Sequence, residues 1–313
     1  MANGKSGRKK LAKKLTTTII VIVLLLITSI LDIGVEGQLV VHMIDVGQAD
    51  CFLLIQDDMT ALVDCGTRST GKDAVEYIKA LGITKLDYVI GTHPHDDHMG
   101  GMYDVITNFE VGTVIIPEGK PSSTTNWYTK LTDELETGKY QIRYVKEGDI
   151  LNLGDATMQV IAAETDLGGD DNNYSICFKV SFGQIDMIMT GDAEREVEEI
   201  ILESGINIDA EILKVGHHGS DTSSSEEFLD AVSADYALIS CGFPNKYEHP
   251  IKSTMEKLEE RNIEVYRTDE SGSIVITITS DDVTFNCEPG DYLSGAELEE
   301  REGKWKAMRV STE

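Results

Sequence analysis

A dense group of histidines and aspartates lies at residues 92–101, in the order Thr-His-Pro-His-Asp-Asp-His-Met-Gly-Gly. Three of the seven histidines of the chain and two aspartates fall between His93 and His98. Imidazole nitrogens and carboxylate oxygens are the ligands that borderline divalent metals prefer. Burying such groups unpaired costs on the order of 2–7 kcal/mol for each neutral polar group, and more for a charge. Neither a packed core nor a solvated polar loop explains this concentration, so the pattern predicts a metal site.

Other polar clusters share one placement with this group, because each follows the end of an apolar run that predicts a strand. Strand ends that meet at one edge of a sheet can assemble a site from segments that are distant in the chain. Three histidine-bearing segments and an aspartate in this placement are improbable by chance. The further members are Asp192, the pair His217 and His218, and His249 in a turn.

The elements that must position these residues begin with short β-type runs between residues 38 and 63. Helical spacing of apolar residues follows over Lys72–Leu81, then a strand at Leu86–Ile90, and a helix is predicted over Met99–Phe109. A second β-rich stretch covers 141–189, and strands and helices alternate from there to a final hairpin at 274–287. This order predicts two sheets with helices on their outer sides.

Charge limits the classes of partner. The 313 residues contain 27 basic and 55 acidic side chains, and six of the basic ones lie in residues 1–14 without an acid. The remaining 21 basic and 55 acidic residues give the body a formal charge of −34. Duplex DNA binding normally depends on Lys and Arg that displace counterions. A general nucleic-acid-binding surface is therefore disfavoured, and a phosphate substrate would be held mainly by metals.

The N-terminus has the pattern of a targeting segment. The basic residues 1–14 precede Leu15–Leu31, seventeen residues without a charge, at the short end for a bilayer span. Positive residues before the span predict that this end is cytoplasmic and that the body lies outside the membrane. We expect residues 15–34 to be an uncleaved single-pass anchor. A cleaved signal peptide and a secreted body are the alternative, although Val35-Glu36-Gly37 is a poor cleavage site.

The motif His93-x-His95-x-Asp97-His98 resembles the metal-binding signature of the metallo-β-lactamase superfamily. Further segments resemble the C-terminal hydrolase domain of ComEC-type competence proteins, and five motifs occur in order. The likeness covers residues 38–287, with a charged tail at 288–313 that shows no clear period. The motifs are Ile44–Asp50, Val63–Gly66, Met189–Glu194, Leu213–Ser220 and Tyr247–Pro250.

The resemblance implies an α/β fold, a four-layer αββα sandwich with two divalent metal ions between the sheets. Zn²⁺ is favoured, and Mn²⁺ or Fe suits the same ligands. Carried over by position, His93 and His95 would bind one metal, and Asp97 and His98 the second. Asp192 would bridge the two metals, and His249 would complete the second site.

One departure from the superfamily pattern concerns the first metal. Many members have a histidine between the first motif and the bridging aspartate, but here none lies between His98 and His217. The region is occupied by Asp171–Ser175, as in the ComEC-like branch. Either an Asn or Asp of that region lines the site, or His217 or His218 replaces the histidine. We expect the first metal to be held more weakly than the second.

Two cations about 3.5–4 Å apart lower the pKa of a bridging water and neutralise charge on an attacked phosphorus. Asp97 or Asp192 would orient the water in this chemistry. His217 or His218 would stabilise the transition state or protonate the leaving oxygen.

These side chains also have structural interpretations. The pair of His217 and His218 fits support of a ligand, and His249 fits a turn residue against Pro250. Asp192 fits a helix N-cap. Asp64 is interpreted as supporting a ligand, and Asp50, like Asp45, as a turn former.

The sequence therefore predicts a metal-dependent hydrolase, anchored or secreted, that acts on a phosphoester substrate. A nucleic-acid phosphodiester and a cell-wall phosphodiester are both candidates. Hydrolysis of a lactam or thioester on the same fold is a second enzymatic interpretation. A non-catalytic metal-binding surface protein is the alternative from a different class, but a scaffold needs no set of metal ligands.

Overall fold

The computed structural model describes residues 37–118, 125–163 and 171–310, and these described residues belong to one compact unit. The described residues form fifteen strands in two sheets. The strands are β1 Leu39–Met43, β2 Phe52–Gln56, β3 Met59–Val63, β4 Lys85–Ile90, β5 Glu110–Ile115, β6 Gln141–Arg143, β7 Ile150–Leu153, β8 Ala156–Ala162, β9 Cys177–Phe182, β10 Ile185–Met189, β11 Ile212–Lys214, β12 Tyr236–Ile239, β13 Glu264–Arg267, β14 Ile274–Ile278 and β15 Val283–Phe285.

Helices connect many of these strands. The α-helices are α1 Gly71–Ala80, α2 Asp96–Met99, α3 Met102–Asn108, α4 Asn126–Leu135, α5 Arg195–Ser204, α6 Glu226–Val232, α7 Lys252–Glu260, α8 Thr268–Ser271 and α9 Gly295–Val310. Two 3₁₀ turns cover Asp171–Tyr174 and Gly216–Gly219.

Three apolar clusters define four layers. The first sheet has the order β15-β14-β1-β2-β3-β4-β5-β6, and the second has the order β13-β12-β11-β10-β9-β8-β7. The central cluster packs one sheet against the other, for example Phe52 and Leu54 with Phe178 and Met187. Alternate side chains point to opposite faces of a strand, so the other faces are free to bury helices. α1, α3 and α4 cover the first sheet, and α5, α6 and α7 cover the second. The predicted αββα sandwich is confirmed.

Parallel pairing brings the polar strand ends together. In the first sheet β3 and β4 are parallel, with Val63 opposite Ile90, so the residues that follow them are neighbours. In the second sheet β10 and β11 are parallel, with Met189 opposite Lys214. Each sheet therefore delivers side chains to one edge, as expected for parallel strands whose ends coincide.

Two elements differ from the sequence prediction. The helix expected over 99–109 is two helices, α2 and α3, separated by Gly100 and Gly101. A Cβ on Gly101 would lie 2.0 Å from the Cys65 carbonyl oxygen, so the close approach of these segments requires glycine. The tail, where no period was found, contains α9. Its first turn has a capping box, in which Ser294 N donates to Glu297 Oε2 (3.0 Å) and Glu297 N to Ser294 Oγ (3.3 Å).

The predicted localisation requires a correction. Among the helices of the described residues, none has the length and apolar content needed to cross a bilayer. The predicted basic segment 1–14 and anchor 15–34 lie outside the described residues. The prediction of a single-pass membrane protein with an extracytoplasmic body is therefore without structural support and is not carried further.

Candidate metal centre

Four side chains from both sheets converge in what we call the four-donor group: Asp97, His98, Asp192 and His218. One donor atom from each lies within 4.8 Å of the others. His98 Nε2 is 3.1 Å from Asp192 Oδ2, and His218 Nε2 is 3.5 Å from the same oxygen. His218 Nε2 also lies 3.6 Å from Asp97 Oδ2. Asp97 is 29% exposed, and the other three side chains are at most 2% exposed, so the group opens to solvent on the Asp97 side.

The donor atoms of this group fit a divalent cation. His98 Nε2, His218 Nε2 and Asp192 Oδ1 are buried and form no hydrogen bond among the described residues. A buried polar atom without a hydrogen bond costs about 1–3 kcal/mol, and two imidazole Nε2 atoms that both face Asp192 Oδ2 are the arrangement expected around a cation. Two imidazole nitrogens and two carboxylates form a donor set that Zn²⁺, Mn²⁺ and Fe accept. Metal coordination satisfies all of these atoms at once.

Each histidine of the group is oriented by a carboxylate behind it. His98 Nδ1 donates to Asp64 Oδ2 (2.7 Å), and Asp64 accepts from the Thr92 backbone NH (2.8 Å). His218 Nδ1 donates to the Ser240 carbonyl (2.8 Å) and lies 3.2 Å from Asp50 Oδ1. A partner at Nδ1 fixes the tautomer and turns Nε2 toward a metal. Asp64 thus contacts His98 from behind, and the interpretation that it supports a metal ligand stays a prediction.

Sequence reasoning missed Asp50 and Lys214. Asp50 precedes β2, and it supports His218 instead of only forming a turn. Lys214 ends β11 and is 1% exposed. Its Nζ lies 2.6 Å from Asp50 Oδ2 and 3.6 Å from Asp192 Oδ1. The same Nζ donates to the Gly191 carbonyl at 2.8 Å. The signal was a single lysine within the apolar run Ile212–Val215. A lysine is almost never fully buried without a charged partner, so this position indicated a buried anion.

His93 and His95 form what we call the two-histidine group. His93 Nε2 lies 3.1 Å from His95 Nδ1, and the rings of His93 and His98 are 4.1 Å apart. In the described part of the chain, no third His, Cys, Asp or Glu places a ligand atom within 4.8 Å of ligand atoms of both His93 and His95. The pair therefore adjoins the four-donor group but offers fewer ligands.

The segment 171–175, where a histidine ligand was missing, contributes a hydroxyl to the site. Ser175 Oγ accepts from the Asp192 backbone NH (3.0 Å) and lies 3.3 Å from His93 Nδ1. Asn173 Oδ1 accepts from the Glu194 NH, and Asn172 donates to the Glu194 carboxylate. The asparagines thus position Glu194, which is the N-cap residue of α5. Asp192 precedes this cap, so the N-cap interpretation of Asp192 does not hold.

His217 and His249 lie beside the four-donor group. His217 Nε2 is 3.6 Å from Asp192 Oδ2, its Nδ1 is 3.1 Å from Thr222 Oγ1, and its side chain is 23% exposed. His249 lies 5.6 Å from His217 between ring centroids, and its Nδ1 is 3.4 Å from Gln48 Nε2. The structure thus brings His218, not His249, among the four donors. The ligand role of His249 stays a prediction.

The backbone at the histidine pair has a strained conformation. His217 and His218 have φ values of +50° and +53°, in the left-handed region that costs a non-glycine residue about 1–3 kcal/mol. This conformation separates the two neighbouring rings, so that His218 is buried with Asp50 while His217 faces solvent. Strain of this kind is characteristic of functional sites.

Charge inside the group shifts several pKa values. Burial raises the pKa of Asp192, but His98 and His218 outweigh this and hold it well below its usual range. Burial lowers the pKa of His218, but Asp192 and Asp50 raise it to about 10. The pKa of His98 is likewise raised, against burial, by Asp192 and Asp64. By contrast, burial and then the charge of His98 lower the pKa of His93.

Burial and neighbouring charge act together on His249 but oppose each other at Asp97. Burial, then the charge of His218, lowers the pKa of His249 to about 4. Burial raises the pKa of Asp97, but the proximity of His218 and the charge of His98 hold it below its usual range. The two ligand carboxylates are therefore ionised at neutral pH, which metal binding requires.

The chain is similar to known proteins in sequence and in fold. It is 32% identical to "ComE operon protein 3" of Bacillus subtilis over 75% of this chain and 32% of that protein. It is 27% identical to "Competence protein ComA" of Neisseria gonorrhoeae over 76% of this chain and 32% of that protein. The chain thus spans about a third of the length of these relatives.

A solved structure with a similar fold is CmlA, a diiron β-hydroxylase from Streptomyces venezuelae. The TM-score is 0.51 at 15% identity, covering 79% of this chain and 55% of that one. Residues 44–242 match the family model of the metallo-beta-lactamase superfamily. This match, which includes the four-donor group, shows that the chain belongs to the metallo-beta-lactamase superfamily.

Proposed function

We propose that this chain is a dinuclear metal-dependent hydrolase that cleaves phosphodiesters. The observation that carries the proposal is the four-donor group, with unpartnered Nε2 atoms of His98 and His218 aimed at Asp192 and Asp97. Two divalent cations, when bound, lower the pKa of water and neutralise charge on a phosphoryl group. A non-catalytic scaffold has no need for ligands oriented from behind by carboxylates.

The protein side chains have distinct parts in this chemistry. Asp192 is buried and contacts three histidine Nε2 atoms, so it serves as the shared ligand. Asp97 is the solvent-accessible carboxylate of the four-donor group and is available to orient an attacking water. His217 is partly exposed, and Thr222 fixes its ring. It is therefore better placed than buried His218 to contact the leaving oxygen, although burial lowers the pKa of its ring.

The substrate class follows from charge and from the relatives. The formal charge of −34 on residues 15–313 disfavours contact with a long polyanion over the general surface. Similarity to relatives named for competence supports a nuclease-like substrate bound locally at the centre. A cell-wall phosphodiester has the same reacting group and is the alternative substrate.

The test compares substrates on one metal-loaded preparation, with Zn²⁺ and with Mn²⁺. Bis(p-nitrophenyl) phosphate, single-stranded DNA, a thioester and a chromogenic cephalosporin represent the competing activities. We expect turnover of the phosphodiesters, lost in Asp192→Asn. Asp186→Asn is the matched control, because its carboxylate lies on β10 but pairs with Lys179 at 2.8 Å.

Two results would contradict the proposal. Turnover of the cephalosporin or the thioester alone would assign a different hydrolase activity to the same centre. Bound metal without turnover of any of the four substrates would support a metal-binding scaffold.

A further inference from the structure

A small cavity opens beside the exposed carboxylate of the four-donor group. Its volume is about 400 Å³, within the range of small-ligand sites. One wall is the loop that joins β12 to α7. The lining residues are Gln48, Thr67, Asp96, Asp97, Pro244, Asn245, Lys246 and Tyr247. Because Asp97 belongs to both the cavity wall and the four-donor group, a molecule that reaches the metal centre has space to extend into this cavity.

The loop wall is held in one conformation by Asn245. Its Nδ2 donates to the carbonyls of Gly242 and His249, both at 2.7 Å. Its Oδ1 accepts from the backbone NH groups of Tyr247 (3.1 Å) and His249 (3.0 Å). The Gly242 NH in turn donates to Gln48 Oε1 at 3.0 Å. A loop tied in this way presents its side chains without a large ordering cost when a ligand binds.

Tyr247 and Lys246 give this wall its chemical character. Tyr247 is 49% exposed, and its ring stacks on His249 at 5.5 Å between centroids and 25° between planes. Lys246 is exposed, with Nζ 4.6 Å from the Tyr247 ring centroid. An aromatic ring supported from behind and a mobile ammonium are the pair that single-stranded nucleic-acid sites use for a base and a phosphate.

The two carboxylates that line the cavity do not neutralise the positive charge of Lys246. Asp97 is a donor of the four-donor group, so a bound metal neutralises it. Asp96 Oδ2 lies 3.9 Å from Arg68 Nε, and Asp96 Oδ1 accepts from the Arg68 backbone NH at 3.3 Å. Lys246 therefore supplies a local positive charge on a body that is strongly acidic elsewhere.

We propose that Lys246 and Tyr247 form a subsite for the nucleotide unit next to the scissile phosphodiester. Tyr247 stacks on the base, and Lys246 contacts the next phosphate along the strand. The subsite selects unpaired nucleotides over glycerol- or sugar-linked phosphodiesters, because a polyol offers no planar group to the ring. This inference rests on the proposed phosphodiesterase function and names its substrate class.

Three substrates with the same scissile bond and leaving group isolate the subsite. The first is methyl p-nitrophenyl phosphate, which leaves the cavity empty. The second is the 5′-(p-nitrophenyl phosphate) of thymidine, which adds a base. The third carries a further 3′-phosphate on the same nucleoside. We expect KM to fall along this series for the unaltered protein, with little change in kcat.

The variants assign each gain to one side chain. Tyr247→Ala should raise KM for the thymidine substrate about tenfold without a comparable change for methyl p-nitrophenyl phosphate. Tyr247→Phe should leave both KM values unchanged. Lys246→Met should raise KM for the substrate with the 3′-phosphate about two- to fivefold, without a comparable change for the substrate that lacks this phosphate. Tyr144→Ala and Lys72→Met are matched controls, because both residues are exposed and neither lines this cavity.

The outcomes separate failure of the subsite from failure of the proposed function. If methyl p-nitrophenyl phosphate is hydrolysed but KM is equal for all three substrates, the subsite assignment is wrong and the phosphodiesterase stands. Equal losses in Tyr247→Ala for all three substrates would also overturn the assignment. If none of the three is hydrolysed by metal-loaded protein, the proposed function itself fails.

Discussion

The two halves of the metal centre differ in what lies behind their ligands. The histidines of the four-donor group have carboxylates at Nδ1, Asp64 for His98 and Asp50 for His218, and Lys214 joins Asp50 to Asp192. In the two-histidine group, His93 Nδ1 contacts only neutral hydroxyls among the described residues, those of Thr92 (3.1 Å) and Ser175 (3.3 Å). The histidines of the four-donor group therefore have charged groups behind them, whereas His93 has neutral hydroxyls beside it.

This difference shows how a ligand set is prepared for a cation. Four carboxylates, those of Asp50, Asp64, Asp97 and Asp192, surround one lysine in and behind the four-donor group. Such negative charge is costly unless cations compensate it, and Lys214 with the protonated rings of His98 and His218 does so only in part. The two-histidine group has no comparable excess, so it gains less from binding a metal. We therefore expect one tight and one weak metal, with the tight one in the four-donor group.

Removing the buried lysine should produce the largest change in stability. Lys214→Met leaves Asp50 and Asp192 buried without their cation, which should destabilise the metal-free protein by about 3–5 kcal/mol. Added Mn²⁺ should restore part of this loss, because the metal supplies the missing positive charge. Urea unfolding with and without metal measures both effects.

Lys179→Met is the control for that experiment. Lys179 is also largely buried and pairs with Asp186 at 2.8 Å, outside the four-donor group. Its loss should destabilise the protein without any additional recovery on adding metal. Equal recovery in the two variants would contradict a special role for Lys214.

Asp192→Asn should disable both halves, since this carboxylate lies against His98 and His218 of the four-donor group and its charge also acts on His93 of the two-histidine group. The loss of metal affinity should exceed the roughly 100-fold that removal of an outer partner can cost. Competition with a fluorescent chelator measures it, with Asp186→Asn as control. Retention of one tight metal in Asp192→Asn would show that the carboxylate is not shared.

The supporting residues allow the two halves to be compared directly. Asp64→Asn removes the carboxylate behind His98 and should weaken the tight metal by about 10–100-fold. Ser175→Ala removes a hydroxyl that lies beside His93 and accepts from the Asp192 backbone NH, and it should weaken mainly the other metal, by about threefold, as for the loss of a neutral hydrogen bond. Comparable effects of the two changes on the tight metal would remove the distinction between the halves.

The number of protons released on metal binding should distinguish the four-donor group from the two-histidine group. At pH 7 the raised pKa values of His98 and His218 keep both rings protonated in the metal-free protein. Metal binding there should release about two protons, whereas binding at His93, whose pKa is lowered, should release none from that ring. Calorimetry in buffers of different ionisation enthalpy counts these protons. Release that does not differ between the tight and weak binding events would contradict this assignment.

The sign of the accompanying pH dependence follows from the raised pKa values. In the metal-free protein, the stabilisation from protonated His218 is complete below its unfolded pKa of 6.5 and is lost as pH rises toward about 10. Metal affinity of the four-donor group should rise over the same interval, because fewer protons must be displaced.

The sequence predicted the sandwich and brought attention to the residues of the four-donor group, because histidine density and strand-end placement are local patterns. Lys214 and Asp50 could not be paired in this way, since their contact links β11 to the start of β2 across the second and first sheets. The sequence left His217 and His218 open as replacements for the missing histidine and did not show that His218 lies closer than His249 to Asp192. The position of His218 depends on the left-handed backbone at His217–Gly219, which no spacing in the sequence specifies.

The most direct test is a crystal structure of the protein soaked in limiting Zn²⁺, with anomalous scattering recorded at the zinc edge. We predict that the first peak lies about 2.0–2.2 Å from Nε2 of His98 and His218 and from carboxylate oxygens of Asp97 and Asp192. A second peak near His93 and His95 should emerge only at higher Zn²⁺. A first peak at His93 and His95, or a tight site completed by His249 instead of His218, would contradict the account.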